Sequence, residues 1–207
     1  MILEIDNLLD SETADSIENF MLSTNFNWVY INSISGVCVN DEAVANDPKI
    51  KDSDGFMHMF VHNKQPVSPH VGIIHSLMGS LEQHTAKTVK AVERSRAVLV
   101  YKNPTFGDFY QGPHTDYANP HMVMIYYVND SDGDTIFFNE RQKELVDNSK
   151  KTVIQRITPK KNKCIIFDGL QYHAGSVPKN SHRMFININF CFEQDNKADN
   201  KYPYAYI

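Results

Sequence analysis

Between residues 96 and 192 lie six apolar runs of five to ten residues, with clusters of turn formers after several of them. The runs are "RAVLVYK", "HMVMIYYV", "TIFFN", "TVIQRI", "KCIIFD" and "RMFININFCF". Their β-branched and aromatic side chains suit a pleated, half-buried surface, so each is read as a strand. "NPTFGD", "NDSDGD" and "TPKKNK" fall between them, where Gly, Pro, Asn and Asp favour turns. Two helices precede this train in the sequence. Helices followed by many closely spaced strands imply an α+β, mainly β chain, with an antiparallel core and helices packed on one side. Pattern alone leaves sandwich, barrel and jelly roll open.

The first helix is expected in "LLDSETADSIENFML". Asp10 or Ser11 can cap it, acidic residues fill its first turn, and Ile17, Phe20 and Met21 repeat at helical spacing. A short strand, "ILEI", opens the chain ahead of it. "SPHVGIIHSLMGSLEQHTA" predicts a second helix, with Val71, Ile74, Met78 and Leu81 on one face. Residues 24–66 are mixed, with an aromatic piece, "FNWVYI", and a polar loop, "NDEAVANDPKIKDSDG".

At 207 residues with no repeat, low-complexity tract or Pro/Gly/Ser linker, the chain reads as a single domain. It divides into a support region over 1–95, a strand-rich core over 96–192 and a tail over 193–207. The net charge of −5 gives no polyanion-binding signature, and Lys150-Lys151 and "KKNK" at 160–163 read as solvated turns. Cys38, Cys164 and Cys191 form no CxxC pair, and the latter two sit in apolar runs as small buried side chains. A reducing cytoplasm fits that usage. The N-terminus turns acidic within six residues, unlike a signal peptide, and no apolar run reaches membrane-spanning length.

"QGPHTDYANP" places His114 and Asp116 one residue apart. At the end of a strand, residues i and i+2 share a face, so an imidazole and a carboxylate there can converge on one point. His173 follows in "DGLQYHAGSVP", just after "KCIIFD", and Arg183 opens the last run. Two histidines and one carboxylate make the facial triad of non-haem Fe(II) oxygenases, leaving three positions open. A guanidinium nearby can grip a carboxylate with two hydrogen bonds.

On these residues, and on the order "VLVYKNPTFGDFYQGPHTD", "MIYYVND", "DGDTIFF", "ITPKKNKCIIFDG", "HAGSVP" and "HRMFININF", the chain resembles the 2-oxoglutarate/Fe(II)-dependent dioxygenases, in their prolyl 4-hydroxylase-like branch. The likeness covers about residues 96–192 and, more loosely, the opening strand and helix. It implies a jelly-roll, or double-stranded β-helix, core. It also implies that His114, Asp116 and His173 ligate Fe(II) and that Arg183 pairs with the distal carboxylate of 2-oxoglutarate. Tyr127 matches a tyrosine that bonds the same carboxylate, Tyr101 one near the keto-acid end, and Asn187 a small polar position beside the co-substrate. The implied reaction consumes O₂ and 2-oxoglutarate, releases succinate and CO₂, and hydroxylates a C–H bond, with ascorbate supportive. Asp132-Gly133-Asp134-Thr135 departs from the family's usual Gly-Gly-acidic-Thr.

A peptidyl, prolyl-type residue or a small amino-acid-like molecule is the expected substrate, with no membrane partner. Nucleic acid ranks lower, because Asp108, Asp130, Asp132 and Asp134 surround the triad and a phosphate-binding face is normally basic. The alternatives are a non-catalytic metal and 2-oxoglutarate-binding module, or a nucleobase-oxidising relative. His121 and His182 are read as solvated or hydrogen-bonding, His58, His62, His70, His75 and His84 stay unassigned, and Trp28 and Tyr30 are read as core. Oligomeric state and the role of the 139–151 loop are left open.

Overall fold

Apolar and polar side chains alternate through the last strand, and that alternation organises the molecule. Met184, Ile186, Ile188 and Phe190 are fully buried against one layer, while Arg183, Phe185, Asn187 and Asn189 point to the opposite side. The computed structural model describes residues 2–35, 49–141 and 151–193. Along them run β1 (Ile2–Ile5), α1 (Ser11–Met21), β2 (Val29–Ile31), β3 (Gly55–His62), β4 (Gln65–Pro66), α2 (Gly72–Thr85) and β5 (Val89–Val100). Then follow β6 (Met122–Tyr127), β7 (Thr135–Arg141), β8 (Val153–Ile157), β9 (Cys164–Asp168), β10 (Gln171–Gly175) and β11 (Arg183–Phe192).

An eight-stranded antiparallel sheet has the order β1-β9-β6-β11-β5-β3-β2, with β4 on β3, and a three-stranded sheet has the order β10-β7-β8. This is the jelly-roll core, with the two sheets facing each other. Its outer layer is helical. Ile17 and Met21 of α1, with Ile74, Leu77, Met78 and Leu81 of α2, pack on Met122, Met124, Tyr126, Met184, Ile186 and Ile188. Each such side chain removed from water contributes about 1.5–3 kcal/mol. Between the sheets lies a second layer, in which Val98, Val100, Val123, Ile125, Tyr127 and Phe185 meet Phe137 and Ile157.

Local chemistry sets the ends of the helices. Asp10 caps α1, its Oδ1 accepting the Thr13 N–H at 2.8 Å. The second helix begins at Gly72, later than "SPHV" predicts, because Ser68 Oγ accepts the His70 N–H at 3.0 Å and holds that stretch in a turn. In "KKNK", Asn162 adopts a left-handed conformation (φ 63°), and its side chain accepts from Leu9 N at 3.0 Å and donates to Leu9 O at 2.8 Å. Lys161 reaches Asp15 and Glu18, and Lys163 reaches Glu4 and Asp6. The turn is therefore tethered to the N-terminal segment and not simply solvated. Lys151 likewise departs from the reading of a solvated cluster, with its Nζ 3.8 Å from the centre of the Tyr172 ring.

Several elements differ from expectation. β5 starts at Val89, well before the first apolar run, and pairs with β11 along its whole length. β2 and β3 lie in the mixed region and extend the large sheet past β5. Trp28 packs edge-on against Phe26, as a core residue should, whereas Tyr30 is 57% exposed. Cys164 is buried and Cys191 only partly so, while Cys38, residues 142–150 of the 139–151 loop and the tail from 194 lie outside the described residues. No helix among the described residues is long and apolar enough to cross a membrane.

Candidate metal centre

His114 and His173 meet through their backbones. His114 N–H donates to His173 O at 2.9 Å, and His173 N–H returns a bond to His114 O at 3.0 Å. Gln111 N–H adds a bond to Gly175 O at 2.8 Å, so the stretch from 110 to 114 lies as an extra edge beside β10. Sequence reading places His114 and Asp116 at a strand end and His173 after one. Instead, His114 forms an isolated bridge in an irregular segment, and His173 lies inside β10. Pro113 explains the first difference, since it has no N–H to continue a ladder.

The same local geometry orients both rings. His114 Nδ1–H donates to Gly112 O at 2.9 Å, and His173 Nδ1–H donates to Gln171 O at 3.2 Å. A carbonyl only accepts, so each ring carries its proton on Nδ1 and keeps the Nε2 lone pair for a cation. Burial pushes the His173 pKa down to about 4, with His114 adding to the effect, and burial also lowers His114. Both imidazoles are thus neutral at neutral pH, as metal ligands must be.

Asp116 completes the set, one ligand atom of each of the three residues lying within 4.8 Å of the others. Burial would raise the Asp116 pKa, but His173, Arg94, His114 and Arg96 outweigh it and hold the carboxyl well below the usual range. Its Oδ1 accepts from Arg94 Nη2 at 2.8 Å, and its Oδ2 accepts from Asn187 at 3.1 Å and Asn189 at 2.7 Å. Arg94 Nε also donates to Asn189 Oδ1 at 3.0 Å, closing a ring of contacts around the carboxylate. Two oxygens offer about four lone pairs, and these bonds use three. The fourth, on Oδ1, is free for a metal. Two Nε2 atoms and one carboxylate oxygen are the donor set of a non-haem Fe(II) site, and the residues present fit that ion.

Arg183 lies in the same chamber, 2% exposed. Its Nη2 donates to Thr135 Oγ1 at 2.7 Å, its guanidinium lies 4.5 Å from the centre of the Phe185 ring, and its Nε is buried without a partner. Gly175 gives it room: a Cβ there would come within 2.5 Å of Arg183 Nη1 and 2.9 Å of Gln111 Oε1. Tyr127 is fully buried, and its hydroxyl shares a 2.8 Å hydrogen bond with the same Thr135 Oγ1. Burial raises the Tyr127 pKa to about 12, so the phenol stays protonated. Ile34, Arg96, Gln111, Ile125 and Asn187 complete the chamber wall around His114, His173 and Arg183.

Tyr101 requires a correction, for it lies outside this chamber. Val98 and Val100 face inward, so the next residue faces outward with Leu99. Tyr101 is 56% exposed and packs edge-on against Phe56. Of the two readings of His121 the hydrogen-bonding one holds: it is 2% exposed, bonded through Nδ1 to Asn119 O and pressed against Gly169. Five polar chamber or carboxylate-holding residues are not assigned a role in sequence: Arg94, Arg96, Gln111, Thr135 and Asn189. The inward parity of Val98 and Val100, carried back along β5, is the signal that reaches both arginines.

No protein-family model matches the chain, and no curated protein matches its sequence. Solved structures do match its fold. An oxidoreductase of the 2OG-Fe(II) oxygenase family from Burkholderia pseudomallei aligns with a TM-score of 0.62 at 11% identity, over 92% of this chain and 84% of that one. A prolyl hydroxylase from Trichoplax adhaerens, in complex with a hypoxia-inducible factor peptide, aligns at 0.58 and 12%, over 92% and 83%. HygX from Streptomyces hygroscopicus, with nickel and 2-oxoglutarate bound, aligns at 0.58 and 10%, over 92% and 82%. The chain has the fold of the 2OG-Fe(II) oxygenases, prolyl hydroxylases included.

Proposed function

We propose that this chain is an Fe(II)- and 2-oxoglutarate-dependent dioxygenase that hydroxylates a C–H bond of a prolyl-type residue or of a small amino-acid-like molecule. One observation carries the reading. Two neutral imidazoles with free Nε2 lone pairs, and an ionised carboxylate with one lone pair open, lie beside a buried arginine whose Nε has no partner.

Each residue has a separate task. His114 and His173 present Nε2, their rings held by backbone carbonyls. Asp116 presents Oδ1 while Arg94, Asn187 and Asn189 hold the carboxylate in place. Arg183 and Thr135 receive the distal carboxylate of the co-substrate, and Tyr127 fixes the Thr135 hydroxyl from beneath. When bound, Fe(II) supplies the redox chemistry that couples O₂ to the conversion of 2-oxoglutarate into succinate and CO₂ and to substrate oxidation. Ascorbate supports turnover by keeping the metal reduced. The apolar wall of Ile34, Ile125 and Phe185 limits the water that can compete at the site.

The test is direct. Purified protein given Fe(II), ascorbate and 2-oxoglutarate is expected to release succinate, and Asp116→Ala protein to release none. Protein that binds Mn(II) and 2-oxoglutarate but yields no succinate with any amino acid or prolyl peptide would instead be a binding module.

A further inference from the structure

The chamber holds a second arginine that neither the triad nor the co-substrate accounts for. Arg96 stands on the inward row of β5, between Arg94 and Val98, and forms part of the cavity wall. Arg94 is engaged by Asp116 and Asn189, and Arg183 by Thr135. Arg96 has a buried Nε without a partner and makes no hydrogen bond or contact ion pair with a described residue. Burial and the like charge of Arg94 both disfavour its cationic form, and only the longer-range pull of Asp116 and Tyr117 favours it. A partly desolvated guanidinium without a counter-ion is unfavourable by itself, and a ligand anion removes that cost.

Register separates the two cations. Arg183 is opposite Val100, whereas Arg96 is opposite Asn187, four residues along β5. At the rise of an extended strand that is roughly 13 Å along the sheet. The surroundings differ accordingly, with Asp116, Arg94 and Tyr117 near Arg96, and Tyr127 and Asp134 near Arg183. Asp134 itself is engaged by Thr158 and Arg156. Arg96 therefore serves the metal end of the chamber, away from the distal carboxylate of the co-substrate.

Formal charge points the same way. Arg94, Arg96 and Arg183 are three cations, with Asp116 the carboxylate at the metal end and Asp134, itself paired with Arg156, the one nearer Arg183. A divalent metal and a dicarboxylate co-substrate cancel each other, so the excess of positive charge survives loading of the site. A further anion would reduce that excess.

We infer that Arg96 binds a carboxylate of the prime substrate, which is accordingly a free organic acid of amino-acid size and not an internal residue of a peptide. This rests on the dioxygenase reading and narrows it. A planar fork next to the metal would hold the acid by two parallel hydrogen bonds and fix which C–H bond faces the metal.

Calorimetric titration of Mn(II)-loaded protein tests it without turnover. First, 2-oxoglutarate is titrated into wild-type and Arg96→Gln protein, with affinities expected to agree within about twofold. That agreement also shows that the variant's chamber is intact. Next, the Mn(II)·2-oxoglutarate protein is offered the proteinogenic L-amino acids, their carboxamides, and an end-blocked prolyl peptide. At least one acid is expected to bind, its carboxamide at least about tenfold more weakly. Arg96→Gln should weaken the acid about tenfold or more and leave the carboxamide unchanged. No acid binding, equal binding by the variant, or a blocked peptide bound more tightly than every acid would overturn the inference. So would a tenfold or larger loss of 2-oxoglutarate affinity in Arg96→Gln, which would assign Arg96 to the co-substrate's own proximal carboxylate. Failure of wild-type protein to bind 2-oxoglutarate at all is a separate result, and it would remove the dioxygenase reading with the inference.

Discussion

The two faces of β11 are built from alternate residues of one strand, yet they obey different rules. Met184, Ile186, Ile188 and Phe190 are wholly buried under the helices, where any apolar side chain of similar volume would serve. Arg183, Asn187 and Asn189 are just as buried on the other face, and each carries polar groups in a setting that penalises them. Asn189 is repaid by Asp116 and Arg94, whereas Asn187 Oδ1 and Arg183 Nε have no partner. The apolar face holds the fold together. The polar face is stabilised by that fold and is only partly satisfied without its ligands. Substitutions on the two faces should therefore separate stability from binding.

The sharpest separation is expected at the triad. His173→Ala keeps both backbone bonds to His114 but removes a metal ligand. Turnover should vanish and Mn(II) affinity fall more than about 100-fold, since even a residue that only supports a ligand is worth 10–100-fold. Folding stability should fall by less than about 2 kcal/mol in a denaturant titration. Arg183→Ala comes next. It should weaken 2-oxoglutarate by about 2–5 kcal/mol in calorimetry while leaving Mn(II) affinity in place. Unchanged 2-oxoglutarate affinity would show that another cation holds its distal carboxylate.

Ile188→Ala inverts the pattern. The side chain is fully buried under the helices, so its loss should cost about 2–5 kcal/mol of unfolding free energy. The protein that remains folded should bind Mn(II) and 2-oxoglutarate like wild type. A weakened metal site in this variant would break the comparison, because it would mean that the two faces are energetically coupled. Gly175→Ala is a smaller, steric test of the polar face. Its new Cβ crowds Arg183 Nη1, so 2-oxoglutarate should bind about tenfold more weakly, with stability changed by less than about 1 kcal/mol.

These contrasts also mark what was legible in the sequence. The alternation in "RMFININF" and "HMVMIYYV" is regular enough to announce two-faced strands, and the HxD, HAG and Arg183 spacings point to the candidate site. β10 was not legible, since "QYHAG" is five residues long and contains a His and a Gly. Nor were Arg94 and Arg96. "VKAVERSR" carries four charges and leads into the first apolar run, and its pairing with β11 brings Arg94 and Arg96 into the inward row. Tyr101 fails by a single residue of parity. Position relative to a motif placed it near the co-substrate, but the strand's pleat turns it to the outer face. Periodicity is local and survives in sequence, whereas the face a strand presents is decided by its partner.

Tyr127 gives the finest test of the comparison, because it belongs to the inward row and yet is wholly enclosed. Its neighbours in that row, Val123 and Ile125, are apolar, and its ring packs among them as a phenylalanine would. Only the hydroxyl is polar, and it meets Thr135 Oγ1, the same atom that accepts from Arg183. A threonine hydroxyl has one proton and two lone pairs, so the bond with Tyr127 helps to decide which way that proton points. Tyr127→Phe keeps the packing and removes this one bond. Stability should fall by about 0.5–1.5 kcal/mol, the net worth of a typical hydrogen bond. If the hydroxyl acts only through Thr135, 2-oxoglutarate affinity should drop by no more than about fivefold, well short of the Arg183→Ala loss. Thr135→Val should then reproduce that drop, and adding Tyr127→Phe to it should cause no further loss in affinity. A full additional loss in the double variant would mean that Tyr127 meets the co-substrate itself, placing it with Arg183 as a direct ligand of the carboxylate.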